Sequence, residues 1–109
     1  MSEPALDLSE IVQLYKEDAR RMVGEMRAAL EKWEEIQKGG PARQALRRLS
    51  HQLRGSGRTY GFRQVTRLGK AIESVVVRLE KGTLPADERV HEFVSLMVEK
   101  MAAAFAPAA

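Results

Sequence analysis

In the stretch "LSHQLRGSGRTYGF", residues 49–62, His51 is followed three residues on by Arg54 and four residues on by Gly55. Neutral imidazole is a nucleophile near neutral pH, because its ordinary pKa lies close to that range. Guanidinium groups beside it favour the neutral form and attract phosphoryl oxygens. A histidine among arginines therefore has the chemistry of a phosphoryl acceptor. At about 100° per residue of helix, Ala42, Ala45, Leu46, Leu49, Leu53 and Tyr60 share one apolar face centred near Leu49, and His51 falls roughly 160° away from it. Gln44, Arg47, Arg54, Gly55 and Arg58 lie within about 60° of His51 on the outward face. An isolated exposed histidine is ordinarily just solvated, and charged helix faces are common. The grouping is what points to chemistry.

Gly55 sits one turn past His51 on that face, where a mid-helix glycine costs about 1 kcal/mol relative to alanine. Two readings stand open: a missing side chain lets another molecule approach the imidazole closely, or the helix is already weakening toward Gly57 and Gly61.

Four amphipathic stretches must position these residues. Leu8, Ile11, Val12, Tyr15, Ala19, Met22, Val23, Met26, Leu30, Trp33 and Ile36 recur at helical spacing, predicting one long helix over 7–38. Asp7 and Glu10 are set to form a capping box at its start, and Gly39-Gly40-Pro41 ends it. The second helix is expected over 41–58, losing regularity around Gly57 to Gly61. The third, over 62–81, carries Val65, Leu68, Ile72, Val75, Val76 and Leu79 on one stripe and is closed by Gly82. There the helical period outweighs the strand preference of "SVVV". The fourth is expected over 85–104, from Pro85 through Val90, Phe93, Val94, Met97 and Met101, with Asp87 and Glu88 at its positive end. Residues 1–6 and 105–109, the latter within the alanine-rich "AAAFAPAA", are expected to be tails. Four such helices with short connections bury their stripes only against one another. The expected fold is one all-α domain over 1–109, an antiparallel up-and-down four-helix bundle.

Composition narrows the function. A chain of 109 residues with 44% hydrophobic and 30% charged residues is ordinary globular material. With no cysteine, disulfides, thiolate metal sites and cysteine nucleophiles are excluded. The start "MSEPALDLSE" is acidic and polar, unlike an export signal, and no stretch approaches the roughly 18 apolar residues of a membrane span. A cytoplasmic protein without membrane contact is expected. The net charge of +3 gives little support for a nucleic-acid partner. There is no Walker motif, no carboxylate cluster for magnesium and no nucleotide fingerprint, and "GSGRTYG" follows a helix rather than the strand that precedes a phosphate loop. No cofactor and no metal are expected.

The run "HQLRGSGRTYGF", followed by "RLGKAIE", resembles the histidine-containing phosphotransfer, or HPt, domain of phosphorelays. The resemblance covers most of the chain and rests on His51 as phosphoacceptor, a basic residue at Arg54, and glycines at Gly55 and Gly61. It implies an antiparallel four-helix bundle with the histidine exposed on its second main helix. A finer likeness is to the N-terminal phosphotransfer domain of chemotaxis-type histidine kinases, carried by Tyr60-Gly61-Phe62 and by Glu73 at the position of a glutamate that hydrogen-bonds the imidazole. Arg54 stands where lysine is usual, and Lys70 stands where a second histidine is common in the chemotaxis-type network. Lys70 lies one turn before Glu73 and is placed to compete for it.

By this resemblance, His51 accepts a phosphoryl group on its outer ring nitrogen and passes it to a receiver-domain aspartate. Glu73 orients the ring, and Arg54, with Arg47 or Arg58, stabilises charge on the transferring oxygens. Gly55, Arg47, Arg58 and Gln44 then form a docking face. The implied partners are a histidine kinase catalytic domain and a response-regulator receiver domain, with the chain acting as a monomeric carrier rather than an enzyme. Two other readings compete: a docking or inhibitory bundle that is never phosphorylated, and a basic module binding nucleic acid through arginines such as Arg43, Arg48, Arg63 and Arg67. His91, in "ERVHEFV", lacks a following glycine and is expected to be a solvated surface histidine.

Overall fold

The Asp7 carboxylate accepts the backbone N–H of Glu10 at 2.8 Å, capping a helix whose first four amides would otherwise lack partners. From that cap the computed structural model describes residues 7–107, and the described elements are helical: α1 Leu8–Glu31, α2 Trp33–Gln37, α3 Pro41–Tyr60, α4 Arg63–Lys81 and α5 Glu88–Ala104. The helix α1 packs on α3 and α5, and α4 packs on the same two. The four long helices thus close into a bundle around Met26, Leu46, Leu49, Leu53, Ile72, Val94 and Met101, all essentially without solvent contact. The "SVVV" segment is helical throughout, its Val76 fully buried. Among the described residues, no helix is long and apolar enough to cross a membrane.

Several boundaries differ from the sequence expectation. The long first helix breaks at Lys32, whose φ of −97° and ψ of 50° leave helical space. No glycine or proline announces this, because the compensation is long-range. The freed Leu30 carbonyl accepts a hydrogen bond from His91 Nε2 on α5 at 3.2 Å. His91 is therefore not a solvated histidine: it is half-buried, with its ring edge-on to Trp33 at 4.7 Å. Beyond the break, Ile36 enters the core, and the Glu35 carboxylate accepts the Ala42 amide at 2.9 Å, supplying a cap that Gly40 has no side chain to provide. Arg43 reciprocates by donating to the Ile36 carbonyl at 2.7 Å. The fourth helix starts at Glu88 rather than Pro85, because Asp87 takes the N-cap position and accepts the Val90 amide at 3.1 Å.

The second predicted helix does not weaken at its glycines. It stays helical to Tyr60 and stops at Gly61, whose φ of +83° is the left-handed conformation that glycine adopts without a Cβ penalty. Gly57 is buried, and a Cβ there would lie 2.9 Å from Thr66 Oγ1 and 3.1 Å from the Phe62 carbonyl. It is the close approach to α4, rather than local flexibility, that requires glycine at this position.

The C-terminal segment also departs from expectation. Phe105 is completely buried, and Arg20 Nε donates to its carbonyl at 2.6 Å. Its ring meets Tyr15 at 5.7 Å and Phe62 at 5.3 Å, while Tyr15 stacks on Tyr60 at 4.3 Å. One aromatic cluster thereby ties α1, the end of α3, the α3–α4 turn and the end of α5 together. Tyr60, expected on the core face, caps this cluster while remaining partly exposed. A Phe105→Ala substitution should therefore cost about 3 kcal/mol, read as a lower urea midpoint with unchanged helical content. A change below about 0.5 kcal/mol would mean that the segment contributes no core packing.

Candidate functional site

Position in the helix wheel puts His51 on the outer surface of α3, and its side chain is 71% exposed. What the wheel does not supply is a partner from another element. That comes from α4, which approaches α3 unusually closely at Gly69: a Cβ there would sit 2.9 Å from both the Ser50 carbonyl oxygen and the Arg54 amide nitrogen. No side chain fits between the two backbones at this crossing. One turn further along α4, Glu73 reaches the outer edge of the seam, its side chain only 14% exposed.

Glu73 bridges two residues of α3. Its Oε2 lies 2.6 Å from His51 Nδ1, and its Oε1 accepts from Arg54 at 2.7 Å. Burial disfavours the carboxylate, but the hydrogen bonds from Arg54 and His51, together with their charges, outweigh it and hold the Glu73 carboxyl below its ordinary pKa. An ionised carboxylate only accepts hydrogen bonds, so the proton of the neutral imidazole resides on Nδ1. The lone pair is then on Nε2, which has no hydrogen-bond partner among the described residues, in a side chain that is mostly exposed. The arrangement can present a nucleophilic nitrogen to another molecule while fixing its tautomer.

The other residues singled out in the sequence distribute themselves around this triad. Arg47 pairs with Glu80 of α4 at 2.6 Å. Gln44, Arg47, Arg48, His51, Glu73, Val77 and Glu80 line an open groove of about 700 Å³ along the α3–α4 seam. Arg58 is exposed and makes no ion pair among the described residues. Lys70 is exposed too, and it forms no ion pair with Glu73, both of whose oxygens are already engaged by His51 and Arg54. Arg54, expected to face transferring oxygens, spends one guanidinium nitrogen on Glu73 and remains 44% exposed.

At Gly55 the helix is not weakening toward Gly57 and Gly61. The helix is regular there, and a Cβ would meet nothing within 4 Å. Nothing in the fold needs a glycine at Gly55, unlike Gly57 and Gly69. Sequence reasoning did not single out Gly69, Glu80 or Val77. The signal for Gly69 was a glycine inside an otherwise helical stripe, three residues before an apolar core position at Ile72.

The Hpt domain family profile matches residues 10–104 of this chain, which span every element that builds the seam. No curated protein and no solved structure matches the chain significantly.

Two consequences for stability follow from this geometry. Gly69→Ala should destabilise the protein by about 1–3 kcal/mol, because backbone lines the contact. Gly55→Ala should stabilise it by up to about 1 kcal/mol by restoring helix propensity in open space. Paired denaturant titrations check both, and similar shifts for the two variants would contradict the geometry.

The depressed Glu73 carboxyl has a linkage consequence. Its contribution is fully present above the ordinary carboxyl pKa of about 4.3 and is lost as pH falls through the lower folded value. The stability advantage of wild type over Glu73→Gln should therefore shrink as unfolding titrations move from about pH 6 to about pH 3. An advantage that stayed constant with pH would show that Glu73 is not held ionised by its partners.

Proposed function

The chain belongs to the Hpt domain family and so serves histidine phosphotransfer in two-component phosphorelays, and on that footing we propose that His51 is the residue that carries the phosphoryl group. The observation that carries the assignment is the single carboxylate shared by His51 Nδ1 and Arg54, which leaves Nε2 as the free nucleophile. The second histidine, His91, has Nε2 committed to the Leu30 carbonyl and packs on Trp33, an arrangement that suits structure rather than transfer.

In the forward step the Nε2 lone pair forms the new N–P bond. The electron pair of the broken bond departs with the donor's leaving group, and the positive charge that develops on the ring is held through Nδ1–H by Glu73. In the return step the N–P pair goes back to Nε2 as an aspartate oxygen of a receiver domain takes the phosphoryl group. Glu73 thus acts by orientation and charge at Nδ1 without contacting phosphorus. Arg54 helps keep Glu73 ionised, and its exposed guanidinium has further N–H groups to donate to the transferring oxygens.

Kinase and receiver domains supply the rest of the chemistry: nucleotide and magnesium on the donor side, an aspartate and magnesium on the acceptor side. Gly55, with open space where a side chain would stand, lets the partner's reactive group close over the imidazole, and Gln44, Arg47 and Arg58 flank that approach. A monomeric carrier working between an ATP-consuming kinase and a receiver belongs in the cytoplasm, where ATP is available.

Phosphorus NMR after incubation with phosphoramidate tests the assignment. Wild type should show a phosphohistidine resonance and His51→Gln should show none. Glu73→Gln should acquire the signal more slowly, by about 10- to 100-fold. A resonance that persists in His51→Gln, or its absence from folded wild type, would overturn the assignment.

A further inference from the structure

The α3–α4 hairpin, residues 41–82, carries ten Lys and Arg against two acids, Glu73 and Glu80. The two acids are seven residues apart on α4, so they stand on one face of that helix, two turns from each other. Each reaches across the seam to an arginine of α3: Glu73 to Arg54, and Glu80 to Arg47. Glu73 is accounted for by its hold on the imidazole. Glu80 has no part in that hold, although it and Arg47 line the same groove as His51.

The two pairs differ in how firmly they are made. Glu73 has a side chain only 14% exposed, and both of its oxygens are engaged. Glu80 is more exposed and accepts through Oε2 alone, from Arg47 Nη1 at 2.6 Å. Arg47 is half-exposed and makes no other side-chain hydrogen bond among the described residues, so its Nε and Nη2 keep their donors free. An exposed ion pair with one hydrogen bond is a weak, exchangeable contact. Arg47 also stands one turn before His51 on α3, the spacing at which side chains of one helix meet. Phosphorylation of His51 would set a second anion beside this cation. A phosphoryl group brings a charge of about −1.5 to −2 and three acceptor oxygens, and a guanidinium holds two of these with parallel N–H bonds.

We propose that Glu80 is a positioning residue for the phosphotransfer: it holds Arg47 while His51 is unphosphorylated and competes with the phosphoryl group for Arg47 once the N–P bond has formed. This rests on the assignment of His51 as acceptor. An arginine partnered in both states shifts the balance between them only by the difference between its two contacts. Glu80 thereby withholds part of the stabilisation that Arg47 would otherwise give the loaded form, which keeps the phosphoryl group transferable. Arg48, the other arginine of the groove, has no carboxylate partner among the described residues, so its attraction for the phosphoryl group is unconditional. Arg54 is tied to the less exposed Glu73 and is not exchanged in this way.

The experiment labels wild type, Glu80→Gln, Arg47→Gln and the double variant with phosphoramidate. It follows the phosphohistidine phosphorus resonance from about pH 5.5 to about pH 9, a range that spans the last ionisation of a phosphoryl group. Arg48, Arg54 and Glu73 are retained in all four proteins, so the ring keeps its setting. A nearby cation favours the doubly charged phosphoryl group and lowers the midpoint. Glu80→Gln, which frees Arg47, should lower the midpoint by about 0.3 to 0.7 pH unit, the size of an exposed ion pair. Arg47→Gln should raise it by a similar amount, and Arg47→Lys, with a point charge but no fork, should fall between wild type and Arg47→Gln. The double variant should match Arg47→Gln, because Glu80 has then lost the residue through which it acts. An unchanged midpoint in Glu80→Gln or in Arg47→Gln would overturn the proposal and leave the pair as a brace across the seam. So would a Glu80→Gln shift that persists undiminished without Arg47, since Glu80 would then act on the phosphoryl group by its own charge. Absence of label from folded wild type would remove the assignment of His51 itself, whereas label with either overturning result would remove only the role of Glu80.

Discussion

The backbone contact between α3 and α4 at Gly69 is the constraint on which the site depends. With the Ser50 carbonyl and the Arg54 amide each 2.9 Å from where a Cβ would stand, the two backbones approach too closely at this crossing for any side chain to fit between them. That proximity brings a short glutamate side chain on α4 within hydrogen-bond reach of an imidazole that itself faces water. Had the helices been separated by ordinary side chains, Glu73 would reach neither His51 nor Arg54 at these distances. Gly57 performs the same service one turn from the end of α3, against Thr66 and the Phe62 carbonyl, so the seam is held close at two levels.

A sequence of charges then dictates the state of the histidine. Arg54 is a permanent cation, and with His51 it overcomes the desolvation of Glu73 and keeps that carboxyl ionised. The ionised carboxylate, as a pure acceptor, fixes a proton on Nδ1, so that in the neutral ring the lone pair is on Nε2. Each step follows from the donor and acceptor inventory of the side chains. The presence of arginine where lysine is usual in the family has a geometric meaning here: a planar fork can hold a carboxylate with one nitrogen and keep other donors in reserve. Lys70 stays out of this network, in which His51 and Arg54 each hold one oxygen of Glu73.

Around the site, the rest of the fold acts as a rigid support with an open front. At one end the aromatic cluster of Tyr15, Tyr60, Phe62 and Phe105 joins the long helices, and at the other His91 and Glu35 close the backbone groups exposed by the break at Lys32 and the start of α3. Neither end intrudes on the seam. Gly55 is the converse of Gly69: its missing side chain relieves no internal crowding, and the space it leaves faces solvent next to the imidazole. The basic character of the whole hairpin extends that opening into a surface with a definite sign.

Much of this was legible in the sequence because it depends on local periodicity. The helical stripes, the outward direction of His51 and its grouping with Arg47, Arg54, Gly55 and Arg58 follow from a repeat of about 3.6 residues, which is a property of one helix at a time. The Asp7 cap and the left-handed turns at Gly61 and Gly82 are local as well. What required the tertiary structure was everything set by a neighbour distant in sequence. The break at Lys32 is compensated by His91, the buried Phe105 packs on rings from two other segments, those of Tyr15 and Phe62, and Gly55, Gly57 and Gly69 differ only in what lies opposite them. The family resemblance named Glu73, but only the packing of α4 on α3 decided that it holds His51 and Arg54 together, because helix periodicity sets the direction of a side chain and leaves the distance between two helices to the residues that meet at their crossing.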